Sequence, residues 1–277
     1  MSALGLDPRP IGWFAIARSD ELRRGGEIAG VLAAAPYRLR RRRDGAVDVD
    51  GRIGALAEQN GFVFAWHHPG GAAPTWRVPA LDETGWRPLR HRLLRARSHP
   101  QEVYENSIDT GHFPVIHGYS DISVLQPMRL DGHEMTVGYQ IARKAPLPKL
   151  DWKVVANFEV HLHGLGCAHN HIEVPMFGLR VRMFALTTPT EPDRVDIRLG
   201  VAIARDLGLP GGRLVAPLVH AGVKHGIVND FLQDMEVWER KRYLRPPLLV
   251  KGDGPIERFR RWSQQFYAAD AARAEVN

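Results

Sequence analysis

In the stretch YENSIDTGHFPVIHG, residues 104–118, Asn106, Asp109 and His112 recur at intervals of three, and His117 follows five residues after His112. Each residue of an α-helix turns about 100°, so the three would fall on one face within roughly 120° of arc. Gly111 and Pro114 disturb the helix end and let His117 swing round toward the same point. Two imidazoles so placed suit a divalent first-row metal, but two donors do not hold one. A third must come from elsewhere. Ile227, Phe231, Met235 and Trp238 recur at i, i+4, i+8 and i+11, the pattern of an amphipathic helix, and Asp234 lies on that apolar stripe. A carboxylate buried there is costly unless it is paired or bound to a metal. Asp230, one turn earlier, is the rival. Two histidines and a carboxylate leave coordination positions open, as in the facial triads of non-haem Fe(II) sites. The competing reading has His112 and His117 capping a helix end and Asp234 paired with an arginine.

The elements that must position these groups are legible in outline. Ser98 as a cap, Pro100 in the first turn and Gln101 three positions after the serine predict a helix over 98–112. From Ile11 to about Pro79 the text reads as short strands. NGFVFAWHHPGG (60–71) alternates Phe62, Phe64 and Trp66 on one side and stops at Pro69 and two glycines. HEMTVGYQIAR, WKVVANFEVHLHG and RVDIRLGVAIA, between about residues 122 and 204, predict an antiparallel sheet. A long helix follows Gly212, and Asp253 with Pro255 marks the cap and first turn of a last one. The residues from about Ala268 read as a frayed tail, and there is no internal repeat. The expected fold class is α+β: an antiparallel sheet wrapped around a long C-terminal helix, helix-grip-like, preceded by a β-rich part.

The chain of 277 residues can bury a core without disulfides or structural metals. Cys167 is the only cysteine, which excludes internal disulfides and every all-cysteine cage, and a reducing cytoplasm fits best. The start has no basic region followed by an apolar one, and no run is long enough to span a membrane. The net charge of +6 concentrates in RLRRRRD (38–44) and WRPLRHRLLRAR (86–97). Interleaved leucines favour solvated strand faces and turns over a nucleic-acid site. His161 with His163, and His169 with His171, share strand faces. They would line a cavity or form a second metal site, with Glu173 a weaker neighbour. Satisfied strand histidines are the commoner case.

The segment ENSIDTGHFPVIHG resembles the iron-binding pattern Asn-x-x-Asp-x-x-His-x4-His of Rieske-type oxygenase α subunits. LQDMEVWERKRYLRPPLLVKGDGPIERFRRWSQQF (232–266) and VHLHGLGCAHNHIEVPMFGLRVRMFALTTPTEPDRVDIRLG (160–200) are similar to the ketosteroid hydroxylase and sterol desaturase branch. The resemblance covers about residues 87–267. It implies His112, His117 and Asp234 as ligands of a mononuclear Fe(II), and Asp109, beside Asn106, as the carboxylate that couples a ligand to the electron donor. It further implies an apolar, steroid- or terpenoid-like substrate and a trimer-based assembly.

One departure is plain. A Rieske [2Fe–2S] centre takes two cysteines and two histidines, so this sequence cannot supply one. The Cys-x-His of Cys167 and His169 lies within the predicted sheet and reads as accidental. AVDVDGRIGALAEQNGFVF runs on where relatives carry the cluster lobe. Residues 1–86 are therefore expected to be a truncated β remnant and 87–277 the catalytic domain, with electrons from a partner carrying a cluster or flavin. Two alternatives stand beside that reading: a redox-neutral metal-dependent isomerase, lyase or hydrolase, and a non-catalytic binding or assembly subunit.

Overall fold

The computed structural model describes residues 4–144, 152–208 and 211–268. The strand-like text of the first quarter folds as two three-stranded antiparallel sheets. In one, β1 (Gly12–Arg18) and β5 (Ala55–Gln59) flank β6 (Phe62–His67). In the other, β3 (Ala35–Arg41) lies between β2 (Glu27–Leu32) and β4 (Val47–Gly51). Phe62, Phe64 and Trp66 do share one face, but every residue of β6 is buried, because Val63 and Ala65 on the other face pack on Leu32, Tyr37 and Leu39. The arginine run at 38–44 is largely spent within this layer. Arg38 and Arg40 pair with Glu27 at 2.6 and 2.5 Å, Arg41 with Glu58 at 2.6 Å and Arg42 with Asp44 at 2.5 Å.

A seven-stranded antiparallel sheet follows. Its strands are β7 (Arg90–Ala96), β8 (Ser120–Asp131), β9 (Glu134–Lys144), β10 (Lys153–His163), β11 (Cys167–Val174), β12 (Leu179–Glu191) and β13 (Arg194–Ile203). They are ordered β7-β13-β12-β11-β10-β9-β8. Side chains alternate across a strand, so each residue's parity decides its layer. One face of β11 and β12 presents Cys167, Phe184 and Leu186 to Trp13, Phe62 and Phe64 of the N-terminal sheet. The opposite face, with Tyr139, Val160, Ala185 and Leu199, forms the main core under the helices.

The long helix α3 (Gly212–Trp238) crosses that second face, fixed by Ala216, fully buried, and by a 2.7 Å contact between His220 Nε2 and the Val201 carbonyl. Among the described residues no helix is long and apolar enough to cross a membrane. The expected tail lies, beyond Ala268, outside the described residues.

The predicted helix over 98–112 is two short pieces, α1 (Pro100–Glu105) and α2 (His112–Ile116). Two local causes break it. The Asp109 side chain accepts from the Gly111 amide at 3.0 Å, which offers the backbone an alternative to the helical bond. The Ile108 carbonyl, moreover, abuts Gly254 so closely that a Cβ there would sit 1.5 Å from its oxygen. Only glycine fits at that contact. The capping expectations also shift. His99, not Ser98, caps α1, its Nδ1 accepting from the Gln101 amide at 3.1 Å while Nε2 donates to the Asp7 carbonyl at 3.0 Å. Asp253 accepts from the Val250 amide at 2.8 Å and so closes the preceding turn, while Pro255 stands at the cap of α4 (Ile256–Ser263).

All six residues of α1 are buried, including two acids. Glu105 takes two bonds from Arg260 of α4, at 2.6 and 2.7 Å, and one from Lys241 at 3.1 Å. Lys241 also reaches Glu102 at 3.0 Å. Removing one partner of such a pair strands the others' charges, so Glu105→Ala should cost about 3–5 kcal/mol in urea unfolding. A second expectation concerns pH. Burial pushes the His99 imidazole down to about 4. A histidine depressed in the folded state contributes stability that is full above the unfolded value near 6.5 and lost as pH falls toward 4. Unfolding free energy should therefore drop by on the order of 3 kcal/mol over that window on account of His99. His99→Asn, which keeps a capping acceptor, should flatten that part of the profile.

Candidate metal centre

The broken helix brings the predicted residues together by a different route from the one the spacing suggested. α2 starts at His112 and ends next to His117, so the two rings stand on one short turn with centroids 5.1 Å apart. Opposite them, α3 presents Asp234 from its last turns, 8% exposed. Asp234 Oδ1 lies 3.2 Å from His117 Nε2 and 3.9 Å from His112 Nε2. One donor atom from each of the three residues lies within 4.8 Å of the others.

The far side of each ring is already engaged. His112 Nδ1 donates to the Asp109 carbonyl at 2.5 Å, and His117 Nδ1 donates to Gln233 Oε1 at 3.0 Å. In the neutral form, with its proton held on Nδ1, each ring is left with its Nε2 lone pair free for a metal bound beside the carboxylate. Partners on the second nitrogen that fix tautomer and orientation are how ligand histidines are held. This donor set fits a divalent metal of intermediate softness with coordination positions left open.

Electrostatics separates the two histidines. Burial depresses His112, and the charges of Asp234 and Asp109 do not offset it. Burial also works against His117, but the hydrogen bond and charge of the nearer Asp234 outweigh it and raise its pKa. Asp230 is occupied elsewhere, accepting from Tyr119 Oη at 2.8 Å and from Arg143 at 3.2 Å, and it lies 4.0 Å from His117 Nδ1. Asp234 is the aspartate that faces the two Nε2 atoms. The Asp109 carboxylate comes to 3.8 Å from His112 Nδ1. Asn106, at the end of α1, accepts from the Trp238 indole at 3.4 Å.

The three groups border a cavity of about 380 Å³ walled by apolar side chains, among them Phe113, Tyr139, Phe158, Ile172, Met183 and Phe231. A volume of this size belongs to small-molecule sites. Few polar groups interrupt it. Asn106 lies near the donors, Arg143 and Asp230 lie beside Tyr119, and Asn170 is a buried residue whose Oδ1 has no protein partner. Sequence reading missed Gln233, Tyr119, Arg143 and Asn170. Gln233 stands next to the stripe aspartate, and that adjacency was its only signal.

The family model described as the 3-ketosteroid 9alpha-hydroxylase C-terminal domain matches residues 65–267. The oxygenase component of a probable 3-ketosteroid-9-alpha-monooxygenase from Rhodococcus rhodochrous is 26% identical over 235 residues, covering 78% of this chain and 57% of that protein. Cholesterol 7-desaturase of Caenorhabditis elegans is 25% identical over 256 residues, covering 78% and 54%. The chain thus spans little more than half the length of these relatives. Among solved structures, dicamba monooxygenase bound to dicamba superposes with a TM-score of 0.71 at 15% identity over 96% of this chain and 99% of that one. A form of that protein with non-haem iron and dicamba gives 0.61 at 15% identity, over 96% and 99%. At such identity the likeness establishes the shared fold.

The division of labour between the two α3 aspartates is open to measurement. Asp234→Asn should abolish uptake of a divalent metal, scored by elemental analysis after dialysis. Asp230→Asn should keep the metal while loosening Tyr119 and Arg143. Loss of metal in both variants alike would refute the assignment.

Proposed function

Because the chain belongs to the 3-ketosteroid 9alpha-hydroxylase C-terminal domain family, we propose that it is the iron-holding catalytic part of an oxygenase or desaturase. Its substrate would be apolar and steroid-like, and its electrons would come from a separate partner. One observation carries this reading: two imidazole Nε2 atoms and one buried carboxylate converge at the wall of an apolar cavity of about 380 Å³.

His112, His117 and Asp234 would hold Fe(II), which, when bound and supplied with electrons, provides O2 activation at a C–H bond. The rest follows from this chain's residues. Asp109 and Gln233 hold the two rings with Nε2 forward, and the Asp234 carboxylate offsets part of the metal's charge. Phe158, Ile172, Met183 and Phe231 exclude water and accept the apolar body of the substrate. Asn170 offers a hydrogen bond to whichever polar group that body carries. The Asp109 carboxylate, 3.8 Å from His112 Nδ1, would steady that imidazole and couple it to the electron donor. These 277 residues contain one cysteine and so no Cys2His2 set for a Rieske cluster, and the electron store would lie outside them.

Fe(II) loaded anaerobically should bind at about one per chain, as one facial triad requires, and His112→Ala/His117→Ala should bind none there. Consumption of O2 should depend on a ferredoxin–reductase system and rise with a ketosteroid or sterol. Asp109→Asn should keep its iron and melting temperature while losing about 10–100-fold in turnover. Turnover without O2 and without reductant would replace this reading by redox-neutral Lewis-acid chemistry.

A further inference from the structure

On the opposite face of the same sheet lies a second cluster of donors. β10 pairs with β11 so that His161 stands directly across from His169 and Glu159 across from His171. Phe158, Asn170 and Ile172, of the other parity, line the apolar cavity, so these histidines face away from His112 and His117. The rings of His161 and His169 are stacked, with centroids 4.6 Å apart and planes within 2°. The His171 ring stands edge-on to both at 5.8 and 5.5 Å. One nitrogen from each of the three lies within 4.8 Å of the others.

We propose that His161, His169 and His171 form a second metal site, which takes a divalent transition ion of the zinc type. Two observations beyond proximity point to a ligand. His169 is 5% exposed, yet its Nδ1 has no hydrogen-bond partner in the protein. His91 Nδ1 and His163 Nε2 are buried and unpartnered as well, and an unseen ion is one of the ordinary explanations of such a nitrogen. Glu159 Oε1, furthermore, lies 3.1 Å from His161 Nε2, the carboxylate–imidazole contact that orients ligand histidines.

Arg182, paired across from His171 on β12, opposes a cation. It is stacked 4.3 Å from Trp86, however, and donates to the Asp82 carbonyl at 2.7 Å. Access exists through His161, whose side chain is 24% exposed. Zn–N bonds of about 2.0–2.1 Å would draw the three nitrogens to roughly 3.4 Å apart, and because each lone pair lies in its ring plane, the more exposed His161 ring must turn out of its parallel stack on His169 to share the ion. The adjacent His133, Glu134 and His163 are the competitor. There Glu134 Oε1 lies 3.3 Å from His163 Nδ1 and 3.7 Å from His133 Nε2, and His163 Nε2 is unpartnered, so separate variants distinguish the two clusters.

The site is independent of whatever His112 and His117 hold, and its test removes them. Untagged full-length His112→Ala/His117→Ala is titrated with Zn²⁺ against a chromophoric chelator, and with Co²⁺ for its visible spectrum. Expected are about one equivalent of zinc, a tetrahedral cobalt spectrum and a higher unfolding temperature with zinc. Adding His161→Ala/His171→Ala should abolish all three, whereas adding His133→Ala/His163→Ala should leave them. If the quadruple variant does not fold without zinc, His161→Gln alone, on the most accessible ring, gives the same comparison. No zinc bound to the first variant, or binding lost only with His133 and His163, overturns the proposal.

Discussion

The arrangement depends on one buried carboxylate. Glu105 sits at the end of α1, 2% exposed, and takes its bonds from Arg260 on α4 and from Lys241 just beyond α3. It therefore joins three elements that the chain separates by up to 155 residues. The next residue, Asn106, meets Trp238 at the end of α3, one turn from Asp234. Burying such ions adds little net stability, since desolvation offsets much of the attraction, but it strongly penalises any arrangement in which they part. The halves of the candidate metal centre, one on α2 and the other on α3, are held in register by that penalty.

The sheet explains why one scaffold can carry two unlike environments. Across β10 and β11, one parity gives Phe158, Asn170 and Ile172, and the other gives Glu159, His161, His169 and His171. A shift of one residue in this pairing would exchange the two sets, placing four charged or polar groups in the apolar cavity. Both faces are covered elsewhere along β11 and β12, so register here is fixed from both sides.

The chemistry was more legible in the sequence than the geometry. The convergence of His112, His117 and Asp234 was readable because two spaced histidines need a third donor to hold a metal, and a carboxylate on an apolar stripe needs a partner. The antiparallel sheet and long helix were readable from periodicity. The continuous helix over 98–112 was not there to be found. Its break depends on Gly254, 146 residues after Ile108, whose missing side chain admits the Ile108 carbonyl. Local capping preference also pointed to Ser98 where burial favoured His99, whose ring satisfies the helix and Asp7 at once. His161 and His169 were visible as strand residues, but their facing positions are a matter of pairing register, which composition does not encode.

The candidate ligands of the first site, His112, His117 and Asp234, are spread over positions 112 to 234, on elements that meet only when the sheet is complete. An unfolded chain offers no preformed version of that site. A metal that recognises only the folded form adds RT ln(1 + [M]/Kd) to its stability, about 2.7 kcal/mol at a hundredfold excess over Kd. With a metal in that site, the melting temperature would report free metal concentration, and chelation during purification would leave a less stable population of the same chain.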